Sequence, residues 1–140
     1  VTRGNKQIIF YTFVNYQLFS LMKKFLKSFV FAAKGIKSVI SSETNMKVHT
    51  GISVFVIIMG LVFHISTVEW LACILCIGLV FTVEIFNTSI ETLVDLVSPQ
   101  KHHLAGKTKD IAAGAVLVAA IMSVAVGIII FLPKVIHLIF

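Results

Sequence analysis

Glu84-Ile85-Phe86-Asn87-Thr88-Ser89-Ile90-Glu91-Thr92-Leu93-Val94-Asp95 closes an apolar run that begins at Trp70, and it holds three of the six acidic residues in the chain. At about 100° per residue, a helix puts Glu84, Asn87, Thr88, Glu91 and Asp95 on one face and leaves Ile85, Ile90, Leu93 and Val94 largely on the others. A carboxylate near a bilayer costs at least about 2.5 kcal/mol by insertion scales, so a face carrying several implies a metal, a cation or a wet site as partner. A solvated helix end is the plainer reading. It serves for Asp95 alone, but not for a whole face with Asn and Thr interleaved.

The rest of the chain fixes the setting of that face. With 140 residues, 58% of them hydrophobic, and a mean hydropathy of +1.01, it is too apolar for a soluble domain and too short for more than one domain. It reads as an all-α integral membrane protein. The formal charge of +6 is unevenly spread: Arg3, Lys6, Lys23, Lys24, Lys27, Lys34, Lys37 and Lys47 face only Glu43 in the first 50 residues. In so apolar a chain this balance suits anionic lipid heads and a nucleotide polyphosphate, and argues against nucleic acid as a partner. Cys73 and Cys76 sit inside an apolar helix with no second pair and no His on their face, so they read as reduced packing residues.

Residues 1–21 are aromatic and basic, with Phe10, Tyr11, Phe13, Tyr16 and Phe19, and Met22-Lys23-Lys24 resembles a translation start. They are expected to be an extension, lying at the interface if retained. A single membrane domain would then cover residues 22–140. Residues 22–41 repeat Phe25, Phe29, Ala32, Ala33, Ile36, Val39 and Ile40 at helical spacing against a lysine side, which predicts an amphipathic surface helix. Ser41 to Asn45 ends it. Spans follow over 48–66, 70–97 and 109–132, with Thr67-Val68-Glu69 an outer turn, residues 98–108 a proline-broken inner loop, and Pro133 the last stop. Small residues from Ala112 to Gly127 give the last span narrow faces for close helix packing. The lysine asymmetry puts the amino terminus inside.

On this topology Glu43, Asn45 and His49, the face from Glu84 to Asp95, and Lys107, Lys109 and Asp110 all reach the inner membrane surface. Carboxylates on two helices suit a hard divalent cation such as magnesium, which keeps several sites for water and phosphate. Lysines at a helix start, beside free backbone N–H groups, suit a polyphosphate. These are parts for phosphoryl transfer, in which positioning and charge neutralisation supply most of the catalysis. The sequence has neither a P-loop nor an H-R-D loop, which excludes a soluble-kinase mechanism as far as motifs can.

The pattern E-x-x-N-[ST]-[SA]-I-E-x-x-V-D from Glu84 to Asp95 resembles the signature of the prokaryotic diacylglycerol kinase family, small membrane lipid kinases that include undecaprenol kinases. Ala33-Lys34-Gly35-Ile36 resembles the family's surface-helix motif, Ser42-Glu43-Thr44-Asn45 its acidic metal-ligand region, and Lys107 to Val116 the start of its third span. The resemblance runs from about Lys24 to Pro133. It implies that Glu43 and Glu91 hold magnesium on ATP, that Asn87 and Lys109 contact phosphates, and that Asp110 supports the site. Lys24 aligns with a basic residue of the surface helix on the ATP side, and Lys34 and His49 fall on the lipid side. Glu84 would be the general base that takes the lipid hydroxyl's proton. The family's homotrimeric bundle, with sites shared between subunits, fits three spans too few to enclose a cavity. It also implies a bacterial plasma-membrane location with the site facing the cytoplasm.

Two departures bear on the acceptor. His49 stands where diacylglycerol kinases carry an acid, and Ala32-Ala33 replace a serine and a tryptophan near the lipid. Both point to undecaprenol, with diacylglycerol as the alternative. A non-catalytic subunit or a cation-conducting oligomer is the reading from another class, but Leu71 to Val83 carries no charge to continue a pore.

Overall fold

A computed structural model of the protein describes the backbone of residues 2–140 and the side chains from Asn15 onward. The expected interfacial placement of Phe10, Tyr11 and Phe13 lies outside the side chains described. Four helices make up the architecture: α1 (Thr2–Ser42), α2 (Thr44–Val62), α3 (Thr67–Val97) and α4 (His103–Ile139), with no strand among the described residues. The chain divides into two units, Val1–Ser38 and Val39–Phe140.

In the first unit, Lys23, Lys24, Lys27, Lys34 and Lys37 share one side of α1 at helical spacing. Phe31 stands between Lys27 and Lys34, whose ammonium groups lie 5.9 and 6.0 Å from its ring centre. Phe25 and Phe29 meet edge to face at 5.0 Å. All of these side chains are exposed.

In the second unit α2, α3 and α4 are each long and apolar enough to cross a membrane. Glu43 adopts extended geometry (φ −81°, ψ 126°) between α1 and α2, so α2 begins at Thr44 rather than at the expected residue 48. Met46, with no exposed surface, anchors its first turn. At the far end the chain reverses through His64, whose φ of 50° lies in the left-handed region. The Ser66 N–H donates to Glu69 Oε2 at 2.6 Å, and the Glu69 N–H donates to the Ser66 hydroxyl oxygen at 3.3 Å. This capping box starts α3 at Thr67, so the expected outer turn is already helix.

Two close approaches tie this end together. A Cβ on Gly60 would meet the Trp70 ring at 2.7 Å, so only glycine lets α2 and α3 come this near. Lys134 of α4 pairs with Glu69 at 2.8 Å, and Ile65, Cys73 and Ile130 form a small core beneath Phe63 and Phe131. Along α4 the buried residues Ala112, Val116 and Ala119 are four and three apart, Ile130 lies three turns further on the same face, and the alanines permit close packing.

The last helix differs from its expected span of 109–132 at both ends. It opens at His103, where the His102 Nδ1 accepts the Leu104 N–H at 3.2 Å, because the Leu104-Ala105-Gly106 stretch offers nothing to delay it. It also continues through Pro133 to Ile139. A proline removes one backbone donor, and an apolar helix packed on neighbours tolerates that loss.

Candidate functional site

Glu84 and Asn87 are the buried polar residues among those described, with 1% and 4% of their surface exposed. They lie on the same stripe of α3 as the buried Cys73 and Val80. The polar face is therefore the interior face of the unit continued toward one end, and not a solvated flank. Glu91 is half-buried and Asp95 exposed where the helix emerges.

The Asn87 side-chain amide donates to Glu91 Oε1 at 2.9 Å. Glu84 Oε2 and Asn87 Oδ1 are buried and have no hydrogen-bond partner. Two adjacent acceptors without a donor mark a place prepared for something that brings one, or for a cation. The hydroxyls interleaved on this helix do not fill that need. Thr88 donates back to the Glu84 carbonyl at 3.0 Å, and Thr92 to the Thr88 carbonyl at 2.8 Å.

The start of α2 completes the surroundings. His49, Glu91 and Glu43 lie near enough to the Glu84 carboxyl to act on it through their charges, His49 most strongly. The Ser42 hydroxyl donates to Glu43 Oε1 at 2.8 Å. Of the residues singled out in the sequence, Asn87 and Glu91 are in direct contact, while Glu43, His49 and Glu91 are near enough to Glu84 to act on it through their charges.

The α4 residues sit differently from expectation. Because the helix begins at His103, Lys109 and Asp110 lie within it and not beside its free N–H groups. Lys109 is half-buried and ion-paired with Asp95, while Asp110 is exposed. A hollow of about 470 Å³ beside this pair is lined by Lys101, His102 and His103. Those three were not singled out in the sequence; their clustering in a polar loop between two spans was the available signal. Lys24 and Lys34 belong to the first unit, where both are exposed on the lysine side of α1.

A second space is apolar. A groove of about 640 Å³ runs between α2 and α4 over α3, with His49 and Val80 at one end and Phe131 and Val135 at the other. Its serines have no free proton to offer: Ser53 donates to the His49 carbonyl at 2.7 Å and Ser123 to the Ala119 carbonyl at 2.8 Å. Val80 lies one turn from Glu84, so the groove ends beside the carboxyl.

Residues 30–131 match the family described as prokaryotic diacylglycerol kinase. The chain is 42% identical to an undecaprenol kinase of Bacillus subtilis over 81% of its own length and 92% of the relative's. It is 38% identical to a diacylglycerol kinase of Synechocystis over 81% of the chain and 65% of that protein. A diacylglycerol kinase of Escherichia coli is 28% identical over 72% of the chain and 83% of its own length.

The chain belongs to the prokaryotic diacylglycerol kinase family.

Family membership makes it a lipid kinase. A prokaryotic diacylglycerol kinase must bring a water-soluble phosphoryl donor and a membrane-dissolved alcohol to one point. Polar groups stand at the end of α3, a helix long enough to cross a membrane.

Proposed function

We propose that this kinase transfers the γ-phosphate of ATP to the terminal hydroxyl of undecaprenol, at the cytoplasmic face of a bacterial plasma membrane, giving undecaprenyl phosphate. The observation that carries the choice of acceptor is the groove beside Glu84. Below His49 both of its serine hydroxyls are spent on their own helices, which leaves only the weak thiol donors of Cys73 and Cys76. A polyprenol is hydrocarbon up to its hydroxymethyl group and leaves nothing unsatisfied there. Diacylglycerol would bring two ester groups into the same space, and burying polar groups without partners is costly.

In the reaction, Glu84 takes the proton of the acceptor hydroxyl as its oxygen bonds to the γ-phosphorus and the bond to the β-phosphate oxygen breaks, releasing ADP. Glu84 Oε2 is the unpartnered atom suited to receive that proton. Asn87 and Lys109 contact the phosphates, with Lys109 exchanging Asp95 for them, Asp110 supporting the site, and Lys101 adding positive charge beside the nucleotide in the hollow that His102 and His103 also line. Lys24 serves the ATP side, and Lys34 and His49 the lipid side.

The donor set fits magnesium. No group of three or more His, Cys, Asp or Glu side chains is gathered among the described residues, so no metal cage is preformed. Two carboxylates, Glu43 and Glu91, with the free Asn87 oxygen suit an ion that takes few protein ligands and keeps the rest for phosphate and water. When bound, the ion neutralises phosphate charge. The lysine side of α1 would rest on anionic lipid heads. Three copies would form the working bundle, covering apolar faces that one chain leaves exposed.

Gly127 lines the groove and has open space where a Cβ would stand, so Gly127→Leu tests the reading. KM for undecaprenol is expected to rise while KM for MgATP holds. Unchanged lipid kinetics would reject the groove as the acceptor site, and dissociation of the oligomer in detergent would reassign it to a neighbouring helix.

A further inference from the structure

We propose that His102 is a positioning residue for the nucleotide and that it works only as a neutral imidazole: its Nδ1 caps α4, keeps Lys101 and Lys109 in their places around the hollow, and lets go when the ring takes up a proton. This rests on the reading of that hollow as the nucleotide's. His102 holds the start of α4 in two ways. Its Nδ1 accepts the Leu104 N–H at 3.2 Å, and its carbonyl accepts the Gly106 N–H at 3.1 Å. With Nδ1 accepting, the proton of the ring sits on Nε2. Nothing in the first turn stands in for this side chain, because that turn has no acidic residue and His103, Leu104, Ala105 and Gly106 bring no side-chain oxygen.

Elementary chemistry makes this cap sensitive to acid. Imidazole is the side chain that takes up a proton between about pH 5 and 8, and a protonated ring donates from both nitrogens. Nδ1 then meets the Leu104 N–H donor to donor, with a positive charge at the positive end of the helix dipole. His102 is exposed, so water reaches it with the proton. The charged and titratable groups that line the hollow with it are Asp95 from α3, Lys101 from the connecting loop, and His103 and Lys109 from α4. Lys101 directly precedes the cap, and Lys109 stands about two turns beyond it, paired with Asp95. Fraying of the first turn therefore moves one lysine relative to the other. A histidine serving instead as a cationic partner of phosphate would give the opposite sign, with tighter nucleotide binding in acid.

The test is steady-state kinetics of the purified full-length chain in micelles between about pH 8 and pH 6, with MgATP and undecaprenol varied separately, for wild type, His102→Asn, His102→Ala and His103→Asn. Hydrogen exchange of the first turn of α4 is followed over the same range. Asparagine keeps an oxygen that caps a helix and takes up no proton here. The wild-type KM for MgATP is expected to rise about three- to tenfold toward the acid end, the scale of a lost N-cap, with the KM for undecaprenol steady and the first turn less protected. His102→Asn is expected to lose that dependence, His102→Ala to show the raised KM at every pH, and His103→Asn to keep the wild-type profile. The same profile in wild type and His102→Asn overturns the inference, since protonation of ATP itself is common to both. A KM for MgATP that falls in acid in the wild type and not in His102→Asn also overturns it, by making the ring a partner of phosphate. Loss of protection in acid with no change in the KM for MgATP leaves the cap standing but fails the reading of the hollow as the nucleotide's, and the positioning role goes with it.

Discussion

Asn87 gives its side-chain amide to Glu91 Oε1 at 2.9 Å, one turn further along α3, while its own Oδ1 is buried without a partner. One residue thus orients a carboxylate and presents a second oxygen beside it. Asn87→Asp removes the donor and sets like charges side by side. Losing a hydrogen bond to a charged group is worth about 1.5–3 kcal/mol, so the KM for MgATP is expected to rise about ten- to hundredfold. Steady-state assays at varied magnesium check this, and a wild-type magnesium requirement would remove Asn87 and Glu91 from the nucleotide site.

Glu84→Gln keeps the shape of the side chain and removes its ability to take a proton. General base catalysis contributes about 10²–10⁴-fold, so turnover is expected to fall by at least the lower figure while ATP still binds. Isothermal titration with a non-hydrolysable ATP analogue, beside the turnover assay, separates the two. Loss of nucleotide binding in step with turnover would mean that Glu84 serves ATP instead.

Lys109 and Asp95 form a partly exposed pair whose contribution to stability is expected to be at most about 1 kcal/mol. The two partners should differ in kinetics. Lys109→Met is expected to raise the KM for MgATP severalfold, whereas Asp95→Asn, which frees the lysine, leaves it unchanged or lowers it. Equal effects from both would make the pair a structural tie between α3 and α4.

Gly60 is a stability prediction away from the chemistry. An added Cβ would press on the Trp70 ring at 2.7 Å, and overpacking of this kind costs about 1–3 kcal/mol. Gly60→Ala is therefore expected to lower the melting temperature and shift the fluorescence of Trp70, the single tryptophan, with kcat per folded molecule preserved.

The three apolar helices were legible in the sequence because a bilayer demands long uncharged runs, and the run ending in Glu84 to Asp95 declared its polar face by spacing alone. Helix ends were less legible. Ser66 and Glu69 carry the spacing of a capping box, but the short polar stretch at Thr67 between two apolar runs reads as a turn, and the hydrogen bonds at Ser66 make it the start of α3. At Pro133 the breaker signal was real, yet it removes only one donor, and α4 continues. What periodicity could not show was contact between helices: that Lys109 meets Asp95, that Lys134 meets Glu69, and that His102 and His103 line a hollow. Those depend on how the helices stand side by side.

The decisive measurement is transfer of labelled γ-phosphate from ATP to undecaprenol and to diacylglycerol, each offered to the purified chain in detergent micelles. Label is expected on the polyprenol, with diacylglycerol phosphorylated more slowly if at all. Label on diacylglycerol alone would contradict the acceptor assignment, and label on neither lipid would contradict the kinase reading of the Glu84 site.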